Sequence, residues 1–240
     1  MPIIPVQTDP TIEKIKNQAA KRPHKNRGYL GASEIGEQCA RRLWYSLNGY
    51  ARKEIRAEWL WAADDGNRCE AVIADRLRDA GVDLVTFNED GQQNGFSDFD
   101  GKYKGHWDGE ILGGLLHAPK TQAIWECKLT KQEKFADFQK KKAKFGWKNC
   151  LKEWNFVYFI QAQQYMLYRK LNRHYTNVCL AGGRDMDSAY TEFDKEIAEQ
   201  YRDRAQRIIN ARSAPPKISE KSDDFRCRIC PYSEVCHGKK

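Results

Sequence analysis

The chain has 240 residues, eight cysteines and a formal net charge of +8, from 41 basic and 33 acidic side chains. Its 40% hydrophobic and 12% aromatic residues exclude a disordered or low-complexity chain, and its length suits one α/β domain. No apolar run is long enough to cross a bilayer, and residues 1–10 lack a secretory signal pattern. We therefore expect a cytoplasmic protein with no membrane partner, in which eight cysteines favour metal binding over disulfides.

A polar, basic segment at residues 1–28 comes first, and we interpret it as a loose or adaptable arm. A helix capped by Ser33 follows it. In chain order the apolar pattern predicts helices 33–47 and 54–80, strands 82–87, 102–111 and 122–129, helices 131–145 and 154–171, strands 175–181 and 188–193, and helix 192–211. Helices on both sides of a central mixed β-sheet would bury this pattern, so the sequence predicts an α/β fold.

Charged residues interrupt two of the predicted strands. Asp108 lies in the second strand, and Glu126 and Lys128 lie two residues apart in the third, so that they share one face while Cys127 lies on the other. A simple Glu126–Lys128 pair on a half-exposed strand would explain the third strand alone. Asp108 in addition favours a Mg²⁺-dependent phosphodiesterase, in which carboxylates hold the ion and a lysine orients water or offsets phosphoryl charge.

The predicted helix 154–171 carries two polar pairs with a spacing of four residues. Gln161 and Tyr165 project from one helix face, and Gln164 and Tyr168 have the same spacing, so spacing alone leaves the register open.

These segments resemble a known family of nucleases. Residues 105–109, Gly-His-Trp-Asp-Gly, followed by Glu-Cys-Lys at 126–128, are similar to the D…ExK core of the PD-(D/E)XK nucleases. Gln161 and Tyr165 resemble the Q-x-x-x-Y motif of the RecB-like branch. Residues 66–70, Gly-Asn-Arg-Cys-Glu, resemble its earlier helical motif, with Glu where the family often has His.

The resemblance implies a restriction-endonuclease-like core with a central mixed β-sheet, and it implies a site. The implied catalytic residues are Asp108, Glu126, Lys128, Gln161 and Tyr165. The implied ligands of Mg²⁺ or Mn²⁺ are Glu70, Asp108, Glu126 and the carbonyl of Cys127.

Three cysteines, Cys227, Cys230 and Cys236, lie close together near the C-terminus. A C-x₂-C spacing lets two thiolates bind one centre, and the side chain of His237 diverges from that of its neighbour Cys236. Cys39 resembles the N-terminal ligand of iron–sulfur members of the same branch, the CRISPR-associated exonucleases and AddB-type subunits. There one N-terminal and three C-terminal cysteines hold a four-iron cluster. Zinc bound by the same thiolates is the alternative.

Residues 131–152 contain eight lysines and two acidic residues, a net charge of +6 that begins directly after Lys128. Lysines that contact phosphates would make this segment a track for DNA. The predicted contacts are Lys131, Lys134, Lys140, Lys141, Lys142 and Lys144. We expect Phe135, Phe138 and Phe145, which lie among them, to be core anchors.

The hypothesis is a metal-dependent DNA exonuclease with a structural iron–sulfur cluster, acting on single strands or DNA ends in a bacterium or a phage-infected cell. Recombination or CRISPR-adaptation proteins would be its partners. The predicted organisation is an arm at 1–28, a nuclease core at 29–216 that includes Cys39, and a cysteine-rich segment at 217–240. The alternative is a non-cleaving, metal-stapled nucleic-acid-binding or adaptor protein.

Overall fold

Helices and strands are both present in residues 9–21 and 27–238, the ranges that the computed structural model describes. The helices are α1 Pro10–Ala20, α2 Ala40–Leu47, α3 Ala57–Asp79, α4 Gln132–Phe145, α5 Cys150–Trp154, α6 Phe156–Arg169, α7 Lys195–Asn210, α8 Phe225–Arg228 and α9 Ser233–His237. The strands are β1 Leu30–Gly31, β2 Asp83–Val85, β3 Gly95–Asp98, β4 Tyr103–His106, β5 Gly109–Gly113, β6 Ala123–Thr130, β7 Arg173–Leu180 and β8 Met186–Glu192. None of the helices in these ranges is long and apolar enough to span a bilayer.

A five-stranded sheet with the order β2-β5-β6-β7-β8 forms the centre of the fold. β6 and β7 are parallel and pair from Ile124 opposite His174 to Thr130 opposite Leu180. The other neighbours in this sheet are antiparallel. A parallel pair needs a long crossover, and here helices α4, α5 and α6 provide it. The predicted mixed sheet flanked by helices is therefore confirmed.

A second, smaller sheet has the order β1-β4-β3, and β2 of the central sheet lies between its strands β1 and β3 along the chain. The sequence predicts a single strand over 102–111, and that prediction is wrong. The strand breaks at Trp107 and Asp108, so that β4 belongs to the small sheet and β5 to the large one. At the break the Trp107 amide donates to Asn94 O over 3.1 Å instead of pairing within either sheet.

The first helix of the core begins later than the sequence predicts. Residues 32–36 form turns, residues 37–39 are irregular, and α2 begins at Ala40 with Cys39, not Ser33, at the N-cap position. Tertiary packing explains the difference, because a Cβ on Gly36 would lie only 2.8 Å from Val157 Cα of α6. Arg204 of α7 donates to the carbonyl oxygens of this turn, which a helix would have used itself.

The predicted N-terminal arm lies partly outside the described residues, since 1–8 and 22–26 are not among them. Its central part is the helix α1, with Asp9 Oδ1 accepting a capping hydrogen bond from the Thr11 amide over 2.7 Å. This helix packs against α3, where Lys16 Nζ lies 3.4 Å from Glu58 Oε1. Residues 10–20 of the predicted arm are therefore a helix that contacts α3.

Two hydrophobic cores form on opposite faces of the large sheet. Ile124 of β6 packs into the larger core with residues of α6, and Trp125 packs into the smaller one with residues of α3. The alternation continues along β6, so that Glu126 and Lys128 follow Ile124 to the α6 face and Cys127 follows Trp125 to the α3 face.

We predict that Gly105→Ala destabilises the protein. A Cβ at this position of β4 would lie 2.6 Å from Tyr165 Cε1 and 2.8 Å from Ala32 Cβ. Such overpacking costs about 1–3 kcal/mol of unfolding free energy, measured by urea denaturation. The matched control is Gly66→Ala in α3, which meets no atom within 4 Å. We expect it to stabilise the protein by about 0.5–1 kcal/mol. A neutral Gly105→Ala would contradict this packing.

Candidate active site

Glu126 and Lys128 form a buried ion pair on the α6 face of the central strand β6. The side chain of Glu126 is 2% exposed and that of Lys128 is 19% exposed, with Lys128 Nζ bonded to Glu126 Oε2. The alternative of a solvated pair on a half-exposed strand is therefore wrong. Burying a carboxylate and an ammonium group in this way is costly, so the arrangement requires further compensation.

Asp108 lies at the break between β4 and β5, next to this pair. Its Oδ2 accepts a hydrogen bond of 2.8 Å from the backbone amide of Cys127, the residue between Glu126 and Lys128. This hydrogen bond connects the break between the two sheets to the central strand β6. It holds the Asp108 carboxylate beside the other two charged groups.

The cluster carries more negative than positive charge. Burial, followed by the nearby Asp108 carboxylate, raises the pKa of Glu126 to about 8. The same two causes raise the pKa of Glu70, on α3, to about 7. Burial alone would lower the pKa of Lys128, but Glu126 and Asp108 outweigh it and raise that pKa. Three carboxylates therefore surround one ammonium group.

Gln161 and Tyr165 of α6 complete one wall of the site. Gln161 Nε2 donates to Glu126 Oε2 over 3.4 Å and to the Tyr165 hydroxyl over 2.9 Å. The Tyr165 hydroxyl donates in turn to His106 O over 2.7 Å, at the end of β4. Both side chains are buried, and they link the helix to both sheets.

The second pair on the same helix lies elsewhere. Gln164 accepts from the Tyr103 hydroxyl over 3.1 Å and donates to Ala198 O over 2.8 Å. The Tyr168 hydroxyl donates to Asp98 Oδ2 over 2.6 Å. Of the two registers that the spacing allows, Gln161 and Tyr165 are the pair that contacts the carboxylate cluster.

Two further residues at the cluster are outside the sequence motifs. Tyr158 precedes Gln161 by one helical turn, and the centre of its ring is 5.1 Å from Lys128 Nζ. Gln93 Nε2 donates to Glu70 Oε1 over 3.3 Å. The spacing of Tyr158 from Gln161 is the signal that would have placed it on the same helix face. No comparable local signal exists for Gln93, which lies between β2 and β3.

The donor set at the cluster fits a hard divalent cation. Glu70, Asp108 and Glu126 offer carboxylate oxygens, which Mg²⁺ and Mn²⁺ prefer. Both side-chain hydrogen bonds to Glu126 go to Oε2, and Gln161 Oε1 is buried without a partner among the described residues. No three Cys, His, Asp or Glu side chains in residues 9–21 and 27–238 already converge on one ligation point. The residues at the cluster therefore match a divalent cation in the type of their donor atoms and in their negative charge.

The four cysteines of the predicted cluster line one cavity of about 290 Å³. Cys39 comes from the start of α2, and Cys227, Cys230 and Cys236 come from α8, α9 and the turn between them. Burial is the main cause of a raised pKa at Cys227, and the other three thiols contribute to it. The donor set therefore fits a thiolate-bound group, although these sulfurs are not already at ligation distances among the described residues.

Three other side chains extend the lining of this cavity. Arg41 Nη1 is 4.0 Å from Cys236 Sγ, and Arg41 Nε donates to Pro215 O over 2.5 Å. Arg42 lines the cavity as well and pairs with Glu37 at 2.9 Å. His237 also lines the cavity, and its Nε2 is buried without a partner among the described residues.

The basic segment after β6 is the helix α4. Phe135 and Phe138 are buried, as the core-anchor interpretation predicts, whereas Phe145 is only half-buried and lies outside the core. Not every predicted DNA-contacting lysine is free, since Lys142 forms an ion pair with Asp187 of β8. Lys141 and Lys144 lie over the ring of Phe145. Exposed lysines remain along the helix, namely Lys131, Lys134, Lys140 and Lys144.

Comparison with known proteins shows the fold. No family model and no curated protein matches the chain. The crystal structure of an alkaline exonuclease from Laribacter hongkongensis matches with 15% identity and a TM-score of 0.51, covering 76% of this chain and 86% of that one. Its complex with dAMP matches with 13% identity and a TM-score of 0.50, over 77% and 87% of the two chains. This chain therefore shares the fold of an exonuclease at low sequence identity.

We predict that Glu126 makes the metal-free protein less stable as the pH rises from about 5 to about 8. Because the pKa of Glu126 rises from 4.5 to about 8 on folding, the folded state keeps a proton that the unfolded chain has released. Urea denaturation with a chelator present gives the unfolding free energy at each pH. In Glu126→Gln this free energy should decline less with rising pH than it does in the wild type. The control Glu199→Gln removes an exposed carboxylate of α7 and should decline like the wild type. An unchanged decline in Glu126→Gln would contradict the prediction.

Proposed function

We propose that this chain is a metal-dependent DNA exonuclease of the RecB-like PD-(D/E)XK type. The observation that carries the proposal is the meeting of Asp108, Glu126 and Lys128 at one buried site, through the Asp108–Cys127 hydrogen bond and the Glu126–Lys128 ion pair. The fold shared with an alkaline exonuclease supports it, and that enzyme has been crystallised with dAMP.

Glu126, Asp108 and the Cys127 carbonyl would hold Mg²⁺ or Mn²⁺, with Glu70 assisting from α3. When bound, such an ion polarises the scissile phosphate and makes a bound water more acidic. The raised pKa values of Glu126 and Glu70 support this assignment, because a cation at the cluster relieves the repulsion that causes part of them.

Lys128 acts as a fixed positive charge. Its pKa is raised by the carboxylates around it, so the ammonium group stays protonated and cannot serve as a general base in this arrangement. A protonated lysine beside the scissile phosphate donates hydrogen bonds to the phosphoryl oxygens or to the attacking water. Charge that develops on those oxygens is then stabilised in a site from which water is largely excluded.

Gln161 and Tyr165 are positioning residues. Gln161 holds one oxygen of Glu126, and Tyr165 holds Gln161 and the end of β4. The two side chains therefore fix the carboxylate relative to the break that carries Asp108.

Cys39, Cys227, Cys230 and Cys236 would bind a four-iron cluster that joins the nuclease core at 29–216 to the segment 217–240. The single cavity that all four line supports this assignment. Zinc is the alternative ligand of the same thiolates.

DNA would reach the site along α4. This helix begins at Gln132, directly after β6 ends at Thr130, so its exposed lysines continue from Lys128. Lys131 and Lys134 are closest to Lys128 in the chain, and they would contact the backbone phosphates next to the cleaved one.

Lys128→Ala should lower the rate of DNA cleavage by at least about a hundredfold, because it removes the charge that stabilises the phosphoryl oxygens. The measurement is digestion of end-labelled single- and double-stranded DNA with Mg²⁺ or Mn²⁺, which also reports polarity. Lys195→Ala, an exposed lysine of α7, is the control and should cleave like the wild type. Wild-type rates in Lys128→Ala would exclude the mechanism. A wild-type protein that binds DNA without cutting it would favour the non-cleaving adaptor.

Cys227→Ser should remove the bound metal and lower the unfolding free energy, because the free energy of metal binding is also free energy of folding. Iron, acid-labile sulfide and zinc are measured per chain after anaerobic purification. Cys69→Ala, a buried thiol of the other core, is the control and should keep the full metal content. Equal iron and sulfide favour the cluster, and zinc without sulfide favours the alternative. Metal content unchanged in Cys227→Ser would contradict the assignment.

A further inference from the structure

Tyr158 lies beside Lys128, Trp154 lies next to Tyr158, and both aromatic side chains pack, partly buried, against the larger core. The ring of Tyr158 lies 5.1 Å from Lys128 Nζ, and the ring of Trp154 lies 5.9 Å from that of Tyr158. Both side chains are half-buried, whereas the neighbouring Phe135 and Phe138 are completely covered. Part of each ring therefore faces solvent next to the site.

Hydrogen bonds fix the backbone at Tyr158 and the indole of Trp154. Asn155 caps α6 by accepting hydrogen bonds from the amides of Val157 and Tyr158, over 3.1 and 3.2 Å. Trp154 Nε1 donates to Lys134 O of α4 over 3.1 Å, and the indole packs edge-on against Phe138 at 5.2 Å. A surface that is already ordered loses little conformational entropy when a flat ligand stacks on it.

The ligand chemistry follows from the neighbours. Lys128 lies against both the carboxylates and the Tyr158 ring, and the backbone of Lys134 on the basic helix is bonded to Trp154. Cationic groups beside accessible aromatic rings are the combination that binds single-stranded nucleic acid, in which phosphates contact the cations and bases stack on the rings.

We infer that Tyr158, supported by Trp154, stacks the nucleobase of the nucleotide whose phosphate lies at Lys128. The inference rests on the proposed nuclease function and deepens it by naming the substrate class, a single-stranded DNA terminus with an unpaired base. A base within a duplex is covered by its neighbours and cannot occupy such a surface. Every base has a flat face, so the contact is tolerant of sequence.

The test compares base-bearing and abasic DNA. Single-stranded oligonucleotides carry either ordinary nucleotides or abasic residues at both termini, so that the result does not depend on polarity. Cleavage with Mg²⁺ gives kcat/KM for the wild type, Tyr158→Phe and Tyr158→Leu. Trp59→Ala is the matched control, since Trp59 of α3 is an aromatic residue with 65% exposure and a cationic neighbour in Arg56.

We expect the wild type, Tyr158→Phe and Trp59→Ala to prefer the base-bearing substrate by about tenfold, the effect of one stacked base. Tyr158→Leu should lose this preference because it has no ring. A merely structural role for Tyr158, exerted through Lys128, would slow the cleavage of both substrates equally and leave the preference intact. That result, or a wild type without any preference, would overturn the inference.

A binding measurement separates this inference from the proposed function. With Ca²⁺ in place of Mg²⁺, an oligonucleotide carrying terminal 2-aminopurine reports stacking by loss of fluorescence. Quenching by the wild type and by Tyr158→Phe, but not by Tyr158→Leu, supports the stacking site even if no protein cleaves DNA. Cleavage without quenching leaves the nuclease proposal intact and overturns the stacking site.

Discussion

Glu126 is a carboxylate inside a β-sheet, and its burial beside Lys128 is the constraint on which the rest of the site depends. An uncompensated buried charge would cost several kcal/mol, and the surrounding structure supplies the compensation from separate elements. β6 contributes Lys128 and α6 contributes the Gln161 amide, whereas the break between the sheets adds a second carboxylate, Asp108, which is held by the Cys127 amide. The cluster still has an excess of negative charge, because three carboxylates face one lysine. A site of this kind gains from binding a cation.

The topology explains why these groups can be assembled at all. β6 and β7 are parallel, so the chain must cross from one end of the sheet to the other, and it does so through α4, α5 and α6. The crossover places the lysines of α4 directly after Lys128. It also returns α6 across the face of β6 that carries Glu126. The positions of Gln161 and Tyr165 and the proposed DNA track are therefore consequences of one connection.

Hydrogen bonds hold the two ends of the fold together around the cysteine cavity. Trp44 Nε1 donates to Ala211 O over 2.9 Å, and the Lys53 amide donates to Pro231 O over 2.8 Å. Arg41 adds its bond to Pro215 O. These contacts join α2 and the segment after it to the chain that follows α7. A group bound by the four thiols would strengthen a junction that hydrogen bonds already define.

Features that depend on local periodicity can be predicted from the amino-acid pattern. The long helix around Glu70, the lysine-rich helix and the shared face of Glu126 and Lys128 follow from repeats of 3.6 and 2 residues, which neighbours in the chain impose. The remaining features depend on contacts between distant parts of the chain. The register of Gln161 rather than Gln164, the break at Trp107 and Asp108, and the position of Tyr158 beside Lys128 depend on partners distant in the chain. A spacing of four residues fits the pair Gln161 and Tyr165 as well as the pair Gln164 and Tyr168. Only packing against another element shows which pair lies at the site.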